Sequence, residues 1–91
     1  MYFISRYTLA RAKKLGVNVY PSKRKNKKID VYKNGYYITS VGDSRYFDYP
    51  MYIKKFGKKY AEKRRKLYKL RHKKDRIVKN SRGYYAANLL W

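Results

Sequence analysis

The stretch from Asp48 to Asp75, DYPMYIKKFGKKYAEKRRKLYKLRHKKD, carries about half of the Lys and Arg of the chain and its only sustained helical period. Ile53, Phe56, Gly57, Tyr60, Ala61, Leu67 and Tyr68 recur at three- and four-residue steps, with Arg64 interrupting the stripe. The other faces are almost all Lys and Arg. Such a segment has one narrow edge to bury and a broad cationic surface to leave outside. It is expected to form a long basic helix, or two helices broken at Gly57, packed by its apolar edge on a small sheet.

That sheet is clearest around Asn34-Gly35, the preferred pair for a two-residue type I′ hairpin turn. The turn pairs Lys33 with Tyr36, Tyr32 with Tyr37, Val31 with Ile38 and Asp30 with Thr39. Ile29, Val31 and Ile38 then share one face, and Tyr32, Tyr37 and Val41 the other. Upstream, Val17-Asn18-Val19-Tyr20 alternates like a strand and stops at Pro21. Thr8 has the chemistry of an N-cap for a short helix from Leu9 to Leu15, ended by Gly16. Residues 1–7 are expected as a strand or an extended arm. Pro50 suits the first turn of the long helix, with Asp48 close to its positive end. Ser81-Arg82-Gly83 has turn composition, and the tail over 76–91 closes on GYYAANLLW. An apolar end of this kind folds back on the core or inserts into a neighbouring subunit. The expected fold is α+β, a single domain over 1–91. It combines a short N-terminal helix, a β-hairpin with one or two further short strands, and the long basic helix.

A chain of 91 residues has a thin core, since so short a domain buries only ~60–65% of its unfolded surface. Much of its apolar content is tyrosine, 13 Tyr against 3 Phe and 1 Trp. Tyrosine buries a ring yet needs a partner for its hydroxyl, which suits half-buried and contact positions. With 26 basic and 5 acidic residues the formal net charge is +21. A compact body with that surplus repels itself and is expected to settle against something negative. The absence of cysteine excludes disulfides and thiolate metal sites. No apolar run approaches the ~18–20 residues of a membrane span. In MYFISRYTLARAKK the charge follows the apolar patch, the reverse of a secretory signal, so synthesis in a reducing cytosol is expected.

Hydrolytic or metal chemistry would have to come from Asp30, Asp43, Asp48, Glu62, His72 and Asp75. His72 and Asp75 are three apart on a helix. Surrounded by Arg71, Lys73, Lys74 and Arg76, they are explained as local charge balance, and no catalytic residue, metal site or cofactor is expected. Polyanion contact has more support. On the long helix the candidates are Lys54, Lys55, Lys58, Lys59, Lys63, Arg64, Arg65, Lys66, Lys69, Arg71, Lys73 and Lys74. In the loop SKRKNKK they are Lys23, Arg24, Lys25, Lys27 and Lys28. Six such contacts to phosphates would release counterions and make affinity fall steeply with salt. No base-reading code is visible, so binding to nucleic acid would ignore sequence. For contact with a protein partner the candidates are Tyr32, Tyr37, Tyr84, Tyr85, Leu89, Leu90 and Trp91.

Three segments, LGVNVYPSKRKNKKIDVYKNG, SVGDSRYFDYPMYIKKFGKKYAEKRRKLYKLRHKKD and SRGYYAANLLW, resemble an uncharacterised family of small basic proteins encoded by large DNA viruses of algae and amoebae. The likeness spans residues 9–91, and DYPMYI, YAEKRRKLYKLRHKKD and the GYYA…LLW ending are its most specific pieces. The resemblance implies a viral origin, with synthesis in the host cytoplasm and residence in the virion. It transfers no activity to any residue. Two non-enzymatic functions follow as expectations. The first is a minor capsid or cement protein bridging acidic surfaces of viral shell proteins, which the tyrosines and the apolar tail favour. The second is a sequence-independent protein that binds double-stranded DNA and helps condense the viral genome, which the net charge favours.

Overall fold

Asn34 and Gly35 both take positive φ, 52° and 82°, and turn β2 (Lys27–Lys33) into β3 (Tyr36–Asp43). Beside the turn, Lys33 lies opposite Tyr36 and Tyr32 opposite Tyr37. One step further the register slips. Val31 faces Thr39, Asp30 faces Ser40 and Ile29 faces Val41, in place of the expected Val31–Ile38 and Asp30–Thr39 pairs. Ile38 is the extra residue of a bulge, and every later side chain of β3 changes face. Val41 leaves the tyrosine side and joins Ile29 and Val31, and all three are 0% exposed. A third fully buried aliphatic side chain contributes about 1.5–3 kcal/mol, which offsets the local break in the ladder.

The computed structural model describes residues 2–91. β1 (Asn18–Pro21) pairs antiparallel with β2, Val19 opposite Val31, so the sheet order is β1-β2-β3. The far face of the sheet carries Tyr20, Tyr32 and Tyr37, packed edge to face at 5.5 and 5.6 Å.

Helix α1 (Arg6–Leu15) starts earlier than expected. Its cap is Ser5, whose Oγ accepts from the Thr8 N–H at 3.2 Å. Thr8 lies inside the helix, buried, and donates its hydroxyl to the Leu89 carbonyl at 2.9 Å. Of the arm expected over 1–7, residue 1 lies outside the described residues, and Arg6 and Tyr7 are helical. Gly16, at φ 74°, ends the helix and donates its N–H to the Ala12 and Lys13 carbonyls.

Asp48 caps α2 (Tyr49–Phe56), accepting from the Met51 N–H at 3.1 Å, with Pro50 in the first turn. Gly57 follows at φ 92° and ψ 165°, and α3 (Lys58–Arg71) begins at the next residue. Lys73 and Lys74 lie beyond α3, before a 3₁₀ turn at Asp75–Ile77. Ser81 is not in a free turn: it caps α4 (Arg82–Leu90), its Oγ accepting from the Tyr84 N–H at 3.2 Å.

The helix that packs on the sheet is α4, beside α1, and not the long basic helix. The reason is side-chain supply. On α3 only Ala61 and Tyr68 are buried, whereas α4 buries Tyr85, Ala87, Leu89 and Leu90. These join Ala12, Val17, Val19, Ile29, Val31 and Val41 in one core. The close fit of α4 on β3 needs a glycine. A Cβ at Gly42 would stand 2.7 Å from Leu90 Cδ1, and its φ of +84° disfavours any side chain. The α2–α3 pair lies against this body through aromatic contacts, Tyr68 stacked on Trp91 at 4.4 Å and Tyr7 against Tyr49 at 5.2 Å.

A candidate polyanion surface and a basic aromatic cleft

Asp48 does more than cap α2. Its Oδ2 accepts from Lys28 Nζ at 2.9 Å and from the Tyr2 hydroxyl, while Oδ1 takes the Met51 N–H. Lys28 and Asp48 are 2% and 1% exposed. Burial first, and then the Asp48 carboxylate, holds the Tyr2 phenol well above its ordinary range. Lys28 therefore leaves the set of expected polyanion contacts. To reach solvent it would abandon a buried partner, at a cost of about 3–5 kcal/mol.

The other cations of α2 and α3 divide into two groups. Lys54, Lys55, Lys58, Lys59, Lys63 and Lys66 are exposed, as are Arg71, Lys73 and Lys74. Lys59, Lys63 and Lys66 fall at helical spacing and share one face. Arg64 and Arg65 are half-buried. Their guanidinium groups lie over Tyr52 at 5.5 Å and Tyr49 at 4.8 Å. The Nε atoms of both are buried and have no hydrogen-bond partner among the described residues. Lys69 is half-buried as well. Burial first, then the charges of Arg65, Arg76 and Arg11, pushes its ammonium below the usual lysine range. Glu62 is the single carboxylate within α2 and α3. It accepts from the Tyr49 hydroxyl, which raises the Tyr49 phenol, and lies 3.8 Å from Arg65 Nη1. In the loop between β1 and β2, Lys23, Arg24 and Lys25 are exposed, with Arg24 over the Tyr37 ring at 5.4 Å.

A cleft of about 800 Å³ opens where α3 faces β3 and α4. Lys27, Arg64, Arg71 and Arg82 line it, and none of the four has a carboxylate within salt-bridge distance among the described residues. Two of the three carboxylates of the same wall are paired with cations. Asp43 holds Arg45 at 2.8 Å, Asp48 holds Lys28, and Asp75 faces His72 Nδ1 at 3.5 Å. Hydrogen bonds from Arg45 draw the Asp43 carboxyl down to about 2. Much of the apolar lining is aromatic. Trp91 is parallel to Tyr68 within 8°, Tyr68 stacks on His72 at 4.3 Å, and Tyr46 at the same cleft is 67% exposed. No group of three or more His, Cys, Asp or Glu among the described residues is placed to hold a metal ion.

The expected protein-contact residues fare differently. Tyr85, Leu89 and Leu90 are core side chains at 2%, 0% and 1% exposure, so they are not available to a neighbour. The tail folds back because the bulged sheet offers it an aliphatic face. Tyr32, Tyr84 and Trp91 are half-buried, and Tyr37 is exposed. Most of the large exposed apolar residues lie elsewhere, among them Ile53, Phe56, Leu67, Leu70, Ile77 and Val78. Three of these, Ile53, Phe56 and Leu67, belong to the stripe that the periodicity turns inward. No helix among the described residues is long and apolar enough to cross a membrane. Comparison with family profiles, with curated proteins and with solved structures found no match for this chain.

Proposed function

We propose that this chain is a non-enzymatic protein that binds nucleic acid through the phosphate backbone without reading base sequence. The observation that carries the reading is the crowd of exposed lysines on α2 and α3, with Glu62 as their only acidic neighbour on the two helices. Charge of this density is costly to keep compact and is relieved by phosphate contacts with release of counterions. The side chains on that surface are lysines, point charges with no fixed fork to read a base edge. In the setting that the viral resemblance implies, the polyanion is a double-stranded DNA genome, the protein is made in the host cytoplasm, and it is carried in the virion.

The test is charge reversal on the exposed face. Lys59→Glu, Lys63→Glu and Lys66→Glu together should abolish binding to a mixed-sequence duplex at moderate salt while leaving the fold intact. These three are better probes than Arg64 and Arg65, whose planes support Tyr52 and Tyr49. A folded triple variant that binds duplex like the parent protein refutes the reading.

The second reading is a minor capsid or cement protein bridging acidic faces of viral shell proteins. Burial of Leu89 and Leu90 takes away one of its sequence arguments, but the exposed Phe56, Leu70, Ile77 and Val78 favour it. It requires the protein to stay with shells that contain no genome. Recovery only with stripped DNA cores would sink it.

A further inference from the structure

The lysines of α2 and α3 leave one cationic feature unexplained. Arg64, Arg71, Arg82 and Lys27 surround a cleft set apart from that open face and are brought there by three different parts of the fold. A duplex has no use for it. Its bases are paired and stacked, so it has no free base face to lay on an aromatic ring. The cleft pairs unsatisfied cations with an aromatic platform, and a chain of unpaired nucleotides offers both complements, a phosphate and a free π-face. Resting on the nucleic-acid reading above, we propose that this cleft accepts an unpaired nucleotide of a single strand, its base on the Tyr46 ring and its phosphate among Arg64, Arg71 and Arg82.

The geometry suits that occupant. About 800 Å³ lies within the range that encloses a small ligand. Tyr46 is 67% exposed, with the Arg45 guanidinium over its ring at 6.0 Å. Asp43 and Asp48 would repel a phosphate were they free, but Arg45 and Lys28 pair with them, and Asp75 lies 3.5 Å from His72 Nδ1. Arg64 lines the cleft with no carboxylate within salt-bridge distance among the described residues. An acidic peptide would satisfy the cations and leave the ring unused.

Trp91, the only tryptophan, lines the cleft and reports on it. The experiment titrates the full chain with an oligothymidylate, with a hairpin duplex of equal phosphate number and with polyglutamate, following Trp91 fluorescence and, separately, anisotropy of labelled ligands. The oligothymidylate should change Trp91 emission saturably, and the duplex should bind without doing so. Tyr46→Ala should weaken the single strand about tenfold or more, as loss of one stacked base does, and Tyr46→Phe should not. Neither should alter duplex affinity. Arg71→Gln with Arg82→Gln, both at exposed positions, should weaken the single strand more than the duplex. The proposal is overturned if Tyr46→Ala leaves the single strand unaffected, or if duplex or polyglutamate changes Trp91 emission as the oligothymidylate does. Failure of the cleft alone leaves duplex binding intact, whereas failure of the backbone reading removes duplex binding in the parent protein.

Discussion

Replacing Asp48 with Ala should come close to unfolding this domain. The carboxylate receives the Lys28 ammonium, the Tyr2 hydroxyl and the Met51 N–H, and it is 1% exposed. Its loss strands a buried lysine charge, which costs about 3–5 kcal/mol. Loss of the α2 cap adds about 1 kcal/mol. The sum, about 4–6 kcal/mol, compares with a total stability of about 5–14 kcal/mol for a chain of this length. Urea denaturation followed by far-ultraviolet circular dichroism should therefore show Asp48→Ala unfolded or with its midpoint close to zero denaturant. Lys28→Met combined with Asp48→Asn should regain a large part of the loss, because Asn still caps the helix and no charge remains buried. If Asp48→Ala alone stays within about 1 kcal/mol of the parent protein, the buried pair does not hold the hairpin to α2 and the reasoning fails.

Leu89 lies fully inside the core, so Leu89→Ala should lower stability by about 2–5 kcal/mol, read from the same denaturation curves. For the same reason, removing Leu89 to Trp91 should unfold the chain and not merely detach it from a partner. Gly42→Ala should cost about 1–3 kcal/mol through collision with Leu90 and Lys28, and a variant as stable as the parent would refute the close approach. The Asp43 carboxyl should titrate near 2 by carbon-detected magnetic resonance, and Arg45→Ala should return it towards 3.8. Because the folded pKa is depressed, the stabilisation from this pair is present above the ordinary carboxylate range. It is lost as pH falls towards 2.

The local punctuation of this fold is legible in its residues. Asn34-Gly35 defines the hairpin turn, Gly16 ends α1, and Asp48 with Pro50 opens α2. Those signals act over two to four residues and depend on local backbone and capping chemistry alone. The α+β class follows from them together with the helical period. What is not legible depends on contacts between distant segments. Nothing at Ile38 marks the bulge, yet it decides that Val41 faces inward and so creates the aliphatic surface that α4 covers. Lys28 sits in a run of basic residues that looks uniformly solvated, and only the arrival of Asp48 from 20 positions away singles it out. The apolar residues of α2 and α3 have the period of a buried stripe. With only Ala61 and Tyr68 of α3 buried, most of that stripe stays outside. The cleft cations come from β2, α3 and α4, so no sequence window contains them.

The dependence of duplex affinity on salt tests the central claim most directly. If six or more exposed lysines of α2 and α3 meet phosphates, a plot of log K against log salt should have a slope of about −5 or steeper with any duplex sequence. Reversal of Lys59, Lys63 and Lys66 should flatten that slope by about three. A slope near zero, or a folded protein that ignores duplex DNA while binding an acidic protein surface, would contradict it.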